Sequence, residues 1–246
     1  MRSLLATSLL LMLALSQATT QTRHPQETTV PVVGCPSDGQ QGPQEAPKHS
    51  TKRISVPSEM AQQLAYYKPT DGPSVLGPRG WFCFGVYGSN GESTYVTPQP
   101  ITSKEFFSDQ WKGITGPAIQ LSVSIGDTSG RFEVAQAIAR VFPAHKSFVE
   151  RVIQEGLEPA SNFPFGKYPN DTLTYKGTSL VEYVTPPNAE GLGTASRLLP
   201  GDAPITGVEI LSGEDPDLTS LHMRLPPPLN NLKPYILNQV ERESSH

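Results

Sequence analysis

After Leu15 the chain contains no long apolar run, and an apolar run is what a membrane anchor needs. Crossing a bilayer core takes about 20 apolar residues, and the one sustained stretch, Leu4 to Leu15, is shorter than that. Cysteine is almost absent, with 2 in the chain and no histidine pair near either of them. This argues against a structural zinc site, which takes four ligands of these types. Lysine and arginine never cluster, and the net charge is −4, or −5 once Arg2 is removed. A nucleic-acid partner is therefore not expected, because a basic face is needed to displace counterions from phosphates. Neither Gly-x-Gly-x-x-Gly nor Gly-x-x-x-x-Gly-Lys-Ser/Thr occurs, so nucleotide cofactors lack their usual cradle and no cofactor is expected.

What is present first is an export signal. Arg2 supplies a positive start, Leu4 to Leu15 an apolar centre, and Ser16-Gln17-Ala18 small residues that suit cleavage after Ala18. Residues 1–18 therefore read as a removable signal peptide, with no stable membrane insertion after its removal, and the working protein is secreted or periplasmic. No cysteine closes the apolar centre, so a lipid anchor is not expected either. Residues 19–53 are polar, proline-bearing and without period, and read as an extended arm tied down at Cys35. In an oxidising compartment Cys35 and Cys83 most simply pair with each other; the alternative is a buried free Cys83 beside an unpaired Cys35.

Residues 54–246 read as one globular domain. Its 25 prolines and 21 glycines, counted over the whole chain, point to short elements joined by many loops. Met60, Leu64 and Tyr67 are spaced for a short helix over Ser58 to Lys68. Gly80 to Tyr87 alternates as a strand, with Trp81, Cys83 and Tyr87 on one face and Phe82, Phe84 and Val86 on the other, and Asn90-Gly91 offers a hairpin turn. A short helix is expected over Ser103 to Trp111 and a strand over Ala118 to Ile125. The apolar stripe from Val134 to Ile153 is broken by Pro143 into two helices. A strand or hairpin follows at Leu173 to Thr185, strands at Ile205 to Leu211 and Leu218 to Leu225, and a terminal helix at Leu232 to Val240. The order fits an α+β fold: a loop-rich domain with an antiparallel sheet and a few short helices, preceded by the extended arm.

Candidate chemistry is sparse. His24 and His49 fall in the arm and His246 ends the chain, which leaves His145 and His222 as the domain's bases near neutral pH. His145 sits in a helical first turn and reads as solvent-facing. His222 should occupy the strand face opposite Leu221 and Met223, as half-buried structure or as a lone general base. Gly126-Asp127-Thr128-Ser129-Gly130 matches neither the Gly-x-Ser-x-Gly nucleophile pattern nor Asp-Thr-Gly, and reads as a turn and cap ahead of the helix near Arg131. Glu214, Asp215 and Asp217 read as a solvated acidic turn, and no metal site is expected. Asn170-Asp171-Thr172 is a glycosylation acceptor if the host is a eukaryote. Trp111 and the aromatic strand could stack on sugars or peptides, though core packing is the more ordinary use of such rings.

Gly34 to Gly39 and Gly77 to Gly85, each holding one cysteine, resemble segments of a family of uncharacterised secreted bacterial proteins with no assigned activity. The resemblance implies a bacterial, exported protein and suits a Cys35–Cys83 disulfide. Two functions fit the sequence. One is a non-enzymatic binding or cell-envelope-associated module with an extracellular or envelope ligand; the other is a secreted hydrolase using His145 or His222 as general base.

Overall fold

The computed structural model describes residues 27–244. The expected signal peptide, residues 1–18, lies outside the described residues, as do His24 and His246. The strands are β1 (Glu27–Cys35), β2 (Ser37–Gly39), β3 (Ser50–Ser55), β4 (Leu64–Pro69), β5 (Val75–Pro78), β6 (Phe82–Gly88), β7 (Gly91–Thr97), β8 (Ala118–Ser124), β9 (Thr172–Tyr175), β10 (Leu180–Thr185), β11 (Ile205–Ser212) and β12 (Asp217–Arg224). The helices are α1 (Ser58–Ala61), α2 (Ser103–Phe106), α3 (Arg131–Val141), α4 (Lys146–Gln154) and α5 (Lys233–Glu243).

The strands form two sheets. The smaller runs β3-β1-β4-β5 and the larger β2-β6-β7-β8-β12-β11-β10-β9. Pairing is antiparallel except for β1 with β4 and β2 with β6. Alternation then sends each large-sheet strand's side chains to two different surroundings. Val96, Ile119, Leu121, Val208, Ile210, Leu221 and Met223 face inward and join Val32, Leu64, Tyr67 and Leu76 of the small sheet and Ile236 and Val240 of α5 in one core. On the opposite face, Val181, Tyr183, Ile205, Leu211 and Leu218 pack with Val134, Ile138, Val149 and Val152 of α3 and α4. A third cluster, Phe84, Tyr95 and Phe106, sits on that same face at the β6–β7 end. The large sheet is thus sandwiched, and its second face is only partly covered.

This is the α+β architecture that the sequence indicated, with three differences of detail. Residues 27–53 are extended and tied at Cys35, but they also supply β1, β2 and β3, and Val30, Val32 and Cys35 are core residues. The Ser58 to Lys68 segment is not one helix: helix stops at Ala61 and Leu64 begins β4. Leu64, Ala65, Tyr66 and Tyr67 are buried on both faces between β1 and β5, and such an apolar run serves a strand as readily as a helix. Ser103 to Trp111 is likewise helical only to Phe106, after which the chain turns and lays Trp111 against Phe106, ring centroids 4.4 Å apart.

Pro143 does divide the stripe that follows β8: α3 ends before it, a single 3-10 turn spans Pro143–His145, and α4 starts at Lys146. Pro234 sits in the first turn of α5, where its missing N–H leaves no helical bond unmade. Cys35 and Cys83 form a disulfide between β1 and β6, so one covalent link spans the two sheets. No described helix is long and apolar enough to cross a membrane.

Candidate functional site

The partly covered face of the large sheet carries most of the polar side chains buried in the structure. Strand alternation places Gln120 and Ser122 of β8 and Ser220 and His222 of β12 opposite the apolar core, and register aligns them into two rows. One row runs Tyr183, Gly207, His222, Gln120, Tyr95 across β10, β11, β12, β8 and β7. The next runs Glu209, Ser220, Ser122, Ser93. Above them opens a cleft of about 930 Å³. One wall is α3, with Gln136 and Arg140; another is Phe106, Phe107 and Trp111; the 192–197 turn closes a third side.

Within the floor the hydrogen bonds fall into three groups. Arg197 N–H donates to Gln120 Oε1 at 2.9 Å, Gln120 Nε2 donates to Ser122 Oγ at 2.9 Å, and Ser122 Oγ lies 2.8 Å from Ser93 Oγ. The Ser220 hydroxyl donates to Glu209. Tyr183 Oη lies 2.5 Å from His222 Nδ1, and it reaches that atom by passing over Gly207, where a Cβ would fall 2.6 Å from Tyr183 Cζ. Glycine is the residue that lets a β10 tyrosine reach a β12 histidine. His222 Nε2 makes no hydrogen bond to a described residue, and His222 lines the cleft.

Burial sets the charge state of this floor. His222 is 4% exposed and Glu209 2%. Loss of water holds the His222 imidazolium down to about 3. It also pushes the Glu209 carboxyl up to about 8, against the opposing bond from Ser220. Tyr183 is held well above the usual phenol range by the same cause, reinforced by Glu209 and Asp171. Each shift favours the neutral form. At pH 7 the floor is therefore an uncharged array of donors and acceptors. The charged groups of the lining are Arg140, Arg197, Glu92 and Glu133; the Arg140 guanidinium lies 4.1 Å from the Tyr168 ring centroid, and that of Arg197 lies 5.9 Å from Trp111's and also interacts with Tyr95.

The sequence-derived candidates are dispersed. His222 occupies the face opposite Leu221 and Met223 and lies in the cleft. His145, in the 3-10 turn before α4, sits elsewhere, with Nε2 3.1 Å from Ser179 Oγ. The Gly126 to Gly130 segment is a turn but not a side-chain cap. Thr128 Oγ1 donates to Ile125 O and accepts from Gly130 N–H, and the residue that precedes α3 is Gly130, which has no side chain to offer.

In the acidic turn, Asp215 pairs with Arg151 at 3.0 Å and Asp217 accepts from Gly126 N–H at 2.9 Å, while Glu214 is exposed. Among the described residues no three His, Cys, Asp or Glu side chains are grouped to hold a metal. Asn170 is exposed, whereas its neighbour Asp171 is buried and accepts from Thr185 Oγ1 and Leu192 N–H.

Glu209, Ser220, Gln120, Ser122 and Tyr183 escape a reading of sequence motifs. The available signal was the polar half of three alternating strands, and alternation alone does not separate a cleft floor from a solvent face. Comparison with protein-family models, with characterised proteins and with solved structures found no match to this chain.

Proposed function

We propose that this is an exported, soluble, non-enzymatic binding module that works in the periplasm or outside the cell and seats its ligand in the cleft on the large sheet. The observation that carries this reading is the pair of cross-strand rows, which align eight hydrogen-bonding side chains on one sheet face beside aromatic walls. Sites that bind small molecules combine apolar surface with a few fixed polar groups, and a sheet holds such groups more firmly than loops do. The Cys35–Cys83 disulfide is compatible with an oxidising location.

The alternative remains a secreted hydrolase with His145 or His222 as general base. A base works best with a pKa near the operating pH. His222, held to about 3, is mostly unable to keep a proton taken from water or a hydroxyl, and His145 lies outside the cleft. The deciding experiment is a screen of the purified, oxidised protein against ester, peptide, glycoside and phosphate substrates beside His145→Ala and His222→Ala variants. The expected result is no turnover with any of the three proteins. Turnover that disappears in one histidine variant alone would replace the binding reading with the hydrolase.

A further inference from the structure

With a ligand seated in the cleft, as proposed above, the lining selects its chemistry by what each class of molecule would leave unpaired. An apolar ligand would strip the remaining water from the half-buried Ser93 and Ser122 and from His222 Nε2 without replacing its hydrogen bonds, the costly way to bury a polar group. A strongly charged ligand would meet both signs in the lining, Arg140 and Arg197 together with Glu92 and Glu133, and would lose its hydration opposite the neutral Gln120, Ser122, Ser220 and His222. What remains is an uncharged molecule rich in groups that both donate and accept. Hydroxyls meet that requirement, since each offers one proton and two lone pairs.

The walls add a second condition. Trp111 is half-buried and braced by Phe106, and Phe107 is 54% exposed. Both line the cleft beside the polar floor. A sugar ring satisfies both conditions at once, with hydroxyls around its edge and C–H groups on its faces that pack on aromatic rings. We propose that the cleft binds an uncharged saccharide, with hydroxyls on the Gln120, Ser122 and Ser220 floor and a ring face against Trp111. A cleft of about 930 Å³ is near the top of the range for small-molecule pockets, roughly 300–1,000 Å³, so an oligosaccharide rather than a single sugar is the fitting length.

This inference rests on the cleft as the binding site, and one experiment separates the two. The ¹⁵N-labelled, oxidised protein is titrated with neutral glucan, mannan, xylan and N-acetylglucosamine oligomers, and in parallel with a random peptide pool and a fatty acid. Saturable shifts at the amides of Gln120, Ser122 and Ser220 and at the Trp111 indole are expected with at least one glycan. Trp111→Ala should weaken that binding about tenfold or more. Because Trp111 also braces Phe106, Ser122→Ala serves as the second variant, removing one hydroxyl; it should weaken binding severalfold while leaving distant amide positions unchanged. Absence of any glycan-induced shift, or shifts confined to residues outside the cleft, overturns the saccharide assignment. Shifts in the cleft with peptide or fatty acid only also overturn it, but leave the cleft as the binding site. Cleavage of a glycan during the titration would keep the saccharide and overturn the non-enzymatic reading.

Discussion

Tyr183 Oη has two partners within reach, His222 Nδ1 at 2.5 Å and Leu221 O at 3.2 Å. With one hydroxyl proton, both contacts are made at once when Oη donates to Leu221 O and accepts from Nδ1–H, which leaves the second nitrogen, Nε2, as an acceptor. His222 is thus pre-set as an acceptor. Tyr183→Phe keeps the ring that fills the space over Gly207 and removes only these two contacts. It should destabilise the protein by about 1–3 kcal/mol, the cost of leaving a buried polar nitrogen without its partner. Denaturant titration measures the loss, and the ¹⁵N shifts of the imidazole should move away from a single Nδ1–H tautomer. Unchanged imidazole shifts in the variant would show that Tyr183 does not set the tautomer.

The element of the small sheet that is held by a covalent link is β1. It is the only strand of the small sheet that carries a disulfide, and it ends at Cys35, which is fully buried against the core. Its bond to β6 closes a separation of 48 residues, worth about 4 kcal/mol on the chain-entropy account. Replacing both cysteines with alanine should lower stability by that order and speed amide exchange in β1 ahead of the centre of the large sheet. A loss below about 1 kcal/mol would mean that packing, not the link, holds β1 in place.

Elements were legible in the sequence wherever a period was long enough to read. Ala118 to Ser124, Ile205 to Ser212 and Asp217 to Arg224 show their alternation, and Pro143 separates two helices as its ring requires. Leu64 to Pro69 was not legible, since being buried on both faces erases the alternation. The candidate site was hidden for another reason. Ser122 and Ser220 are cross-strand partners almost a hundred positions apart, and no local pattern states that β8 and β12 will be neighbours. Of the floor, only His222 drew notice, because histidine is conspicuous where serine and glutamine are not.

At the scale of the whole molecule, Glu209 and His222 shape the dependence of stability on pH in opposite senses. Glu209 keeps its proton up to about 8 when folded, against a usual 4.5, so its contribution is complete below 4.5 and is lost as pH rises through 8. His222 resists protonation down to about 3, against a usual 6.5, so its contribution is complete above 6.5 and is lost as pH falls through 3. Between 4.5 and 6.5 the two slopes cancel. These two groups therefore predict a plateau of stability there, falling on either side by on the order of a few kcal/mol. Denaturation midpoints measured against pH should show it. Glu209→Gln should flatten the alkaline limb and His222→Gln the acid limb, and an alkaline limb unchanged in Glu209→Gln would assign that loss to other groups.

The pairing of β8 with β12 also has a consequence in time. The centre of the large sheet joins residues 118–124 to residues 217–224, so β8 has a partner on only one side until the later strand exists. At roughly 5–20 residues per second, a growing chain spends several seconds to tens of seconds with that backbone edge open. An open, partly apolar edge is a template for pairing with other chains. Chains arrested before residue 217 should therefore be the ones that clump, and a factor that shields β8 during synthesis or passage across a membrane would act in this interval.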